Sequence, residues 1–240
     1  MTASPSPKLP DTVGEFLRQR LREVNRSTEQ LAEAADVPTA YIDDLITGTR
    51  RAPLPGRTDI YEKMTSFLRL GRNDLVTCAR AERAGDAPAV TRAPEAEVRR
   101  LLLELCERET ARQLERRRAR RGSAELGGFI QRLLDVTQGS VRRLLDDQIK
   151  LRLTAGERGI SYMALRLKLL EFLDASPDTL TTDDLAEFIH PRIARWDVDL
   201  DTGVMRVALR AQEPRERSRR TPGSARPSAS RLEDGEGHAS

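Results

Sequence analysis

The chain has 240 residues, enough for two small domains, and its 41 basic against 38 acidic side chains leave a net charge of only +3. That balance argues weakly for nucleic acid, and an aromatic content of 4% leaves the core to aliphatic side chains, with abundant Leu and Ala favouring helices. No apolar run approaches a membrane span and the N-terminus lacks a signal-peptide apolar core, so a cytoplasmic protein with no membrane partner is expected. Lysine occurs only at Lys8, Lys63, Lys150 and Lys168. The arginine bias fits a GC-rich genome as well as it fits phosphate binding. Cys78 and Cys106 lie far apart in helical patterns and read as buried free thiols.

Met1–Pro10, rich in Pro and Ser, reads as a disordered leader. Thr12 and Glu15 have the spacing of a capping box for a first helix, with Phe16, Leu17, Leu21 and Val24 on its apolar face. Ser27 and Gln30 repeat that spacing for a second helix carrying Leu31, Ala32 and Ala35. Asp36 sits where the chain turns, since Asp tolerates the left-handed conformation. Pro38 suits the first turn of a third helix with Ile42, Leu45 and Ile46 inward, and Gly48 can cap its end. Thr49–Arg57 reads as an extended loop. Thr58 is a candidate cap for a fourth helix burying Ile60, Met64, Phe67 and Leu68, and a fifth starts at Asn73 with Leu75, Val76 and Ala79 inward.

The Leu31-Ala32, Val37, Ile42 and Gly48 pattern within Arg26–Arg51 resembles the Cro/C1-type (XRE-like) helix-turn-helix DNA-binding domain. Thr28 stands where that family usually has Gln, Asp36 replaces its turn Gly, and Asp43 and Asp44 fall on its recognition helix. The resemblance covers about the first third of the chain. It implies a regulator that binds double-stranded DNA, with the third helix in the major groove. Thr39, Ala40, Asp43 and Asp44 would then face base edges, Ser27 and Thr28 would present N–H groups to a phosphate, and Arg50, Arg51 and Arg57 would hold the backbone. A generic two-helix corner is the alternative reading of the same residues.

Residues 85–94 read as a linker. A helix is expected from Glu95 through the arginine run to Arg121; that run suits phosphate contact and equally a solvated helix end favoured by the dipole. Asp135–Leu145 can be laid on Asp36–Ile46, which makes 125–180 a candidate degenerate second helix-turn-helix with Gln138, Arg142 and Arg143 as a second set of DNA contacts. Chance repetition of a helical pattern explains the match equally well. Ile149–Leu153 alternates apolar and basic residues and permits a short strand, Ile160–Leu173 is an aliphatic helix, and Leu185–Ile189 suggests another. Alternation on both sides of Asp201-Thr202-Gly203 predicts a β-hairpin over 195–209. Residues 212–240 read as a disordered tail.

The expected fold class is mainly α: a five-helix Cro/C1-like domain at 11–84 and a helical second domain at 95–211 that ends in a small hairpin. No catalytic motif, cofactor signature or metal spacing is present in the sequence, and Glu187-x-x-His190 is a single pair where a di-metal site needs two. A non-enzymatic regulator acting as a homodimer is therefore expected, with a protein partner for the second domain left open. The alternative is a protein-interaction adaptor that keeps the fold without reading DNA, because Asp43 and Asp44 would be repelled by phosphates.

Overall fold

The computed structural model describes residues 10–85, 94–122 and 124–211. The predicted tail, and the predicted leader and linker apart from Pro10, Gly85 and Pro94, lie outside the described residues.

Local chemistry places the first five helices. Helix α1 (Val13–Glu23) starts where the Thr12 hydroxyl accepts the Glu15 N–H at 3.2 Å. Helix α2 (Thr28–Ala35) has the full capping box, with the Ser27 hydroxyl accepting from Gln30 N–H and the Gln30 side chain accepting from Ser27 N–H, both at 3.3 Å. Asp36 turns the chain in the left-handed region at φ 59°, and Pro38 leads into α3 (Thr39–Thr47), which Gly48 ends at φ 76°. Helix α4 (Ile60–Phe67) begins one residue after Asp59, with the Thr58 hydroxyl accepting from Ile60 N–H at 3.1 Å, and α5 (Asp74–Gly85) follows. Leu17, Leu31, Ile42, Ile60, Met64, Leu68 and Leu75 fill the space between them and are fully buried.

Helices α1 and α3 meet at a glycine. A Cβ on Gly14 would lie 2.4 Å from the Leu45 carbonyl oxygen and 3.1 Å from that of Ile46. Gly14→Ala is therefore expected to push α1 off the end of α3 and cost about 1–3 kcal/mol. The urea midpoint reads this, and a midpoint matching the parent chain would mean that the two helices part without strain.

The second half comprises α6 (Ala96–Glu104), α7 (Arg108–Arg121), α8 (Ala124–Asp146), α9 (Gln148–Glu157), α10 (Tyr162–Asp174) and the short α11 (Thr182–Asp184). A π-helical turn at Leu185–Ile189 continues α11, and the antiparallel pair β1 (Ile193–Val198) and β2 (Met205–Leu209) follows with Trp196 opposite Val207. Gly203, at φ 70°, turns the hairpin.

Three sequence expectations differ from this arrangement. The helix expected from Glu95 to Arg121 is broken at Leu105–Glu107, because β1 supplies the missing backbone partners. Trp196 N–H donates to Leu105 O at 3.0 Å and Glu107 N–H donates to Trp196 O at 3.2 Å. Residues 135–145 contain no turn and make no second helix-turn-helix; they lie inside α8, a single helix of 23 residues. Its apolar face runs unbroken through Ile130, Leu133, Leu134, Thr137, Val141 and Leu145, and the Thr137 hydroxyl donates back to Leu133 O, so burial outweighs the turn-like Asp-Val-Thr-Gln-Gly composition. Ile149–Leu153 is helical in α9, capped by Asp147, whose side chain accepts from Lys150 N–H at 3.0 Å.

Charged and polar bonds cross between the halves. Arg166 of α10 is fully buried, donates to Asp36 O at 2.7 Å and Ala35 O at 3.3 Å, and meets the Asp59 carboxylate at 2.8 and 3.0 Å. The Tyr162 hydroxyl is bonded to the Asp36 carboxylate. Lys63 lies 3.0 Å from Asp59 and 3.6 Å from Asp36. Up to Arg210 the described chain is one compact unit.

Candidate nucleic-acid interface

The sequence residues assigned to DNA reading all come from α2, α3 and the loop after α3. Helix α3 buries Tyr41, Ile42 and Leu45. Its other face leaves Ala40, Asp43 and Thr47 exposed and Thr39, Asp44 and Ile46 half-exposed, so Thr39, Ala40, Asp43 and Asp44 do share one accessible side. Ser27 is exposed and Thr28 half-exposed at the start of α2, as expected. Glu29 already serves that helix end. Its carboxylate accepts the Ser27 hydroxyl and its own N–H, which holds its carboxyl below the ordinary carboxylate range.

The three arginines assigned to the DNA backbone are differently placed. Arg50 reaches Glu171 of α10 at 3.1 Å, lies 3.9 Å from Asp44 and stacks over the Tyr41 ring at 4.9 Å. Arg57 donates to the Gln138 side chain at 2.5 Å and to Asp135 at 3.0 Å. Arg51 is exposed. The same seam holds Asp174, which accepts Leu54 N–H at 3.1 Å and Arg83 at 2.5 Å; burial still pushes its carboxyl up. Arg50 and Arg57 thus join the loop to α8 and α10.

The second set of contacts does not assemble. Gln138 is buried and donates to Phe172 O at 2.8 Å and Ala175 O at 2.9 Å, capping the end of α10. Arg142 and Arg143 are exposed at the C-terminal end of α8, with Asp146 3.9 Å from Arg142 and the Ser140 hydroxyl 3.2 Å from Arg143. The helix start beside Arg143 belongs to α9, at Asp147–Ile149, and neither arginine stands in the first turn of its own helix, so the geometry expected of a reading helix is missing.

Sequence reasoning missed a different set. Arg18, Arg22 and Arg26 repeat every four residues, and with Asn25, Thr28 and Ile46 they line a cleft of about 330 Å³ between the end of α1, the start of α2 and the end of α3. Arg18 donates to Ile46 O at 2.7 Å, and Arg26 lies over the Phe67 ring at 5.5 Å. The four-residue spacing is visible in the sequence; its convergence on the N-terminus of α2 is not.

Other chemistry is sparse. Glu187 is occupied by Arg158 at 2.8 Å and Lys168 at 3.1 Å, away from any pairing with His190. Among the described residues no group of three or more His, Cys, Asp or Glu could hold a metal ion, and no helix is long and apolar enough to cross a membrane. Cys78 and Cys106 are buried free thiols, pushed up to about 11 and about 12 respectively, mainly by burial, and are poor nucleophiles at neutral pH. Compared with protein-family models, curated proteins and solved structures, the chain matches none.

Proposed function

We propose that the chain is a sequence-specific DNA-binding transcription regulator of the kind its Cro/C1-like residues imply. It reads the major groove with α3 and acts as a homodimer on two half-sites. The observation that supports this best is the exposed side of α3 lying next to the arginine-lined cleft at the start of α2. In a helix-turn-helix, the first helix meets the phosphate backbone as the second enters the groove. A phosphate at the Thr28 end of α2 would meet the helix N–H groups together with Arg22 and Arg26, displacing the Glu29 carboxylate. Ala40 and Thr39 would offer methyl contacts to thymine, and Asp43 an acceptor for cytosine N4. Arg50 and Arg57 orient the loop in this reading and do not grip DNA.

The test is enrichment from a random-sequence duplex pool, followed by salt titration of the selected site. A motif is expected, with log affinity falling linearly against log salt. Arg22→Gln with Arg26→Gln should weaken binding to all sequences and flatten that slope by about 2, at roughly 0.9 for each phosphate no longer neutralised. The half-sites of the motif should be separated by about one helical turn.

One observation favours the adaptor reading. Glu29, Glu33 and Asp43 are exposed and Asp44 half-exposed on α2 and α3, an acidic face that suits a basic protein surface. No enrichment at low salt, together with loss of binding to a basic partner on Asp43→Asn, would replace the regulator reading with this one.

A further inference from the structure

Helix α7 is charged in a way its own stability does not explain. Arg108, Arg112, Arg116 and Arg120 recur every four residues and are all exposed. At 1.5 Å per residue they form a row about 18 Å long with guanidinium roots about 6 Å apart. The helix dipole favours cations in the last turn, yet Arg108 and Arg112 occupy the first half of the helix, where it opposes them. Like charges at i, i+4 also repel. Among the described residues Arg108, Arg116 and Arg120 make no ion pair, and Arg112 has only Glu109 at 3.7 Å, both largely exposed.

The row forms one wall of a cleft of about 1060 Å³ between α6 and α7, with Arg99 and Arg100 of α6 and Arg195 of β1 also lining it over a floor of Leu103, Cys106 and Ala111. The two carboxylates in the lining are already engaged: Glu104 with Arg100 at 2.5 Å, and Glu115 with Arg118 at 3.1 Å and Arg99 at 3.5 Å. Three elements bring six arginines to one opening: Arg99, Arg100 and Arg195 each carry a carboxylate partner, Arg195 through Glu107 at 2.7 Å, while Arg108 and Arg116 carry none among the described residues, and the row continues beyond the opening at Arg120.

We infer that this surface binds the phosphate backbone of nucleic acid, as a sequence-independent contact additional to α3. A linear polyanion of regular charge spacing matches an open row of evenly spaced guanidinium groups, each able to fork onto a phosphate. The apolar floor adds surface on which sugars can rest. The inference rests on the chain being a nucleic-acid binder, but not on α3 being the part that reads sequence.

The test uses the full chain and fluorescence anisotropy of a random-sequence duplex, with a polyglutamate peptide as a second probe. Arg108→Gln, Arg112→Gln and Arg116→Gln are combined, with far-UV circular dichroism to check the fold. The altered side chains are exposed, and Arg112→Gln with Arg116→Gln alone serves if the triple variant misfolds. The expected result is at least about a tenfold loss of random-duplex affinity at low salt, and a log–log salt slope flatter by about 2 to 3. The ratio of affinities for a selected motif and random duplex should be unchanged. A folded variant with unaltered duplex affinity and slope overturns the inference, even if the pool yields a motif. Polyglutamate binding tighter than duplex and abolished in the variant also overturns it, and assigns the surface to an acidic protein. Random-duplex binding that depends on this row, with no motif enriched, upholds the inference while removing the α3 reading. No duplex binding at all removes both.

Discussion

Arg166→Met is expected to cost about 2–4 kcal/mol of folding stability, because it removes the buried cation that holds the partly exposed Asp59 carboxylate and leaves the carboxylate in place. The Arg166 side chain is 1% exposed against Asp59 at 2.8 Å. Its guanidinium also takes the Asp36 and Ala35 carbonyl oxygens, which end α2 and would otherwise be uncapped at the turn into α3. Lys63, 3.0 Å from Asp59, remains to moderate the loss. Urea unfolding should show a lower midpoint with an unchanged slope. Pairing Arg166→Met with Asp59→Leu should recover part of the stability, since a buried pair replaced as a unit costs far less than one broken. A midpoint shift worth less than about 1 kcal/mol in the single variant would mean that water solvates the network in place of Arg166. The same bonds tie the α2–α3 turn to α10, so a variant that does fold should hold that turn less firmly.

Trp196→Ala carries the second large effect, also about 3–5 kcal/mol. Trp196 is 1% exposed, and its indole N–H donates to Leu102 O at 2.8 Å. Its backbone bonds bridge the break between α6 and α7, so truncation opens a cavity where two helices and a strand meet. Trp196→Phe keeps most of the volume and removes the indole donor, while Leu102 O keeps its bond from Leu105 N–H at 3.2 Å; a smaller loss, about 1–3 kcal/mol from the lost hydrogen bond and reduced volume together, is expected. The parent chain contains a single Trp. Its fluorescence reports this one joint, and it should shift to longer wavelength with the same urea midpoint as far-UV circular dichroism. Separate midpoints would show the α6–α7–β1 corner melting ahead of the rest.

What could be read from the sequence was local. The Ser27–Gln30 capping box, the left-handed Asp36, the Gly48 end of α3 and the Gly203 hairpin are each specified within about five residues, and each has its expected geometry. The break at Leu105–Glu107 was hidden because its cause, Trp196, lies some ninety positions away. Asp135–Leu145 matched Asp36–Ile46 because Asp-Val and the aliphatic spacing after it recur there; the apolar spacing on both sides keeps α8 one helix. The intramolecular bonds of Arg50 and Arg57 were hidden for the same reason as those of Trp196. Arg50 and Arg57 are recognisable as cations, but their partners Glu171 and Asp135 come from helices far along the chain. Arg166 was least legible of all, a cation within an aliphatic stretch whose meaning depends on Asp36 and Asp59 together.

The joint between α6 and α7 also sets an order of events during synthesis. The Leu105 oxygen and the Glu107 nitrogen find their backbone partner in Trp196. The five N-terminal helices find their core partners within the first 85 residues and can collapse early. The joint must wait until a strand some ninety residues later has left the ribosome, several seconds at about 5–20 residues per second. Throughout that interval α6 and α7 can run on as one continuous helix, the form their own sequence prefers, and docking of β1 then has to break it. Closing so distant a contact is slow compared with helix formation, which makes hairpin docking the expected last step of folding and the arginine-lined α6–α7 cleft the last surface to take shape.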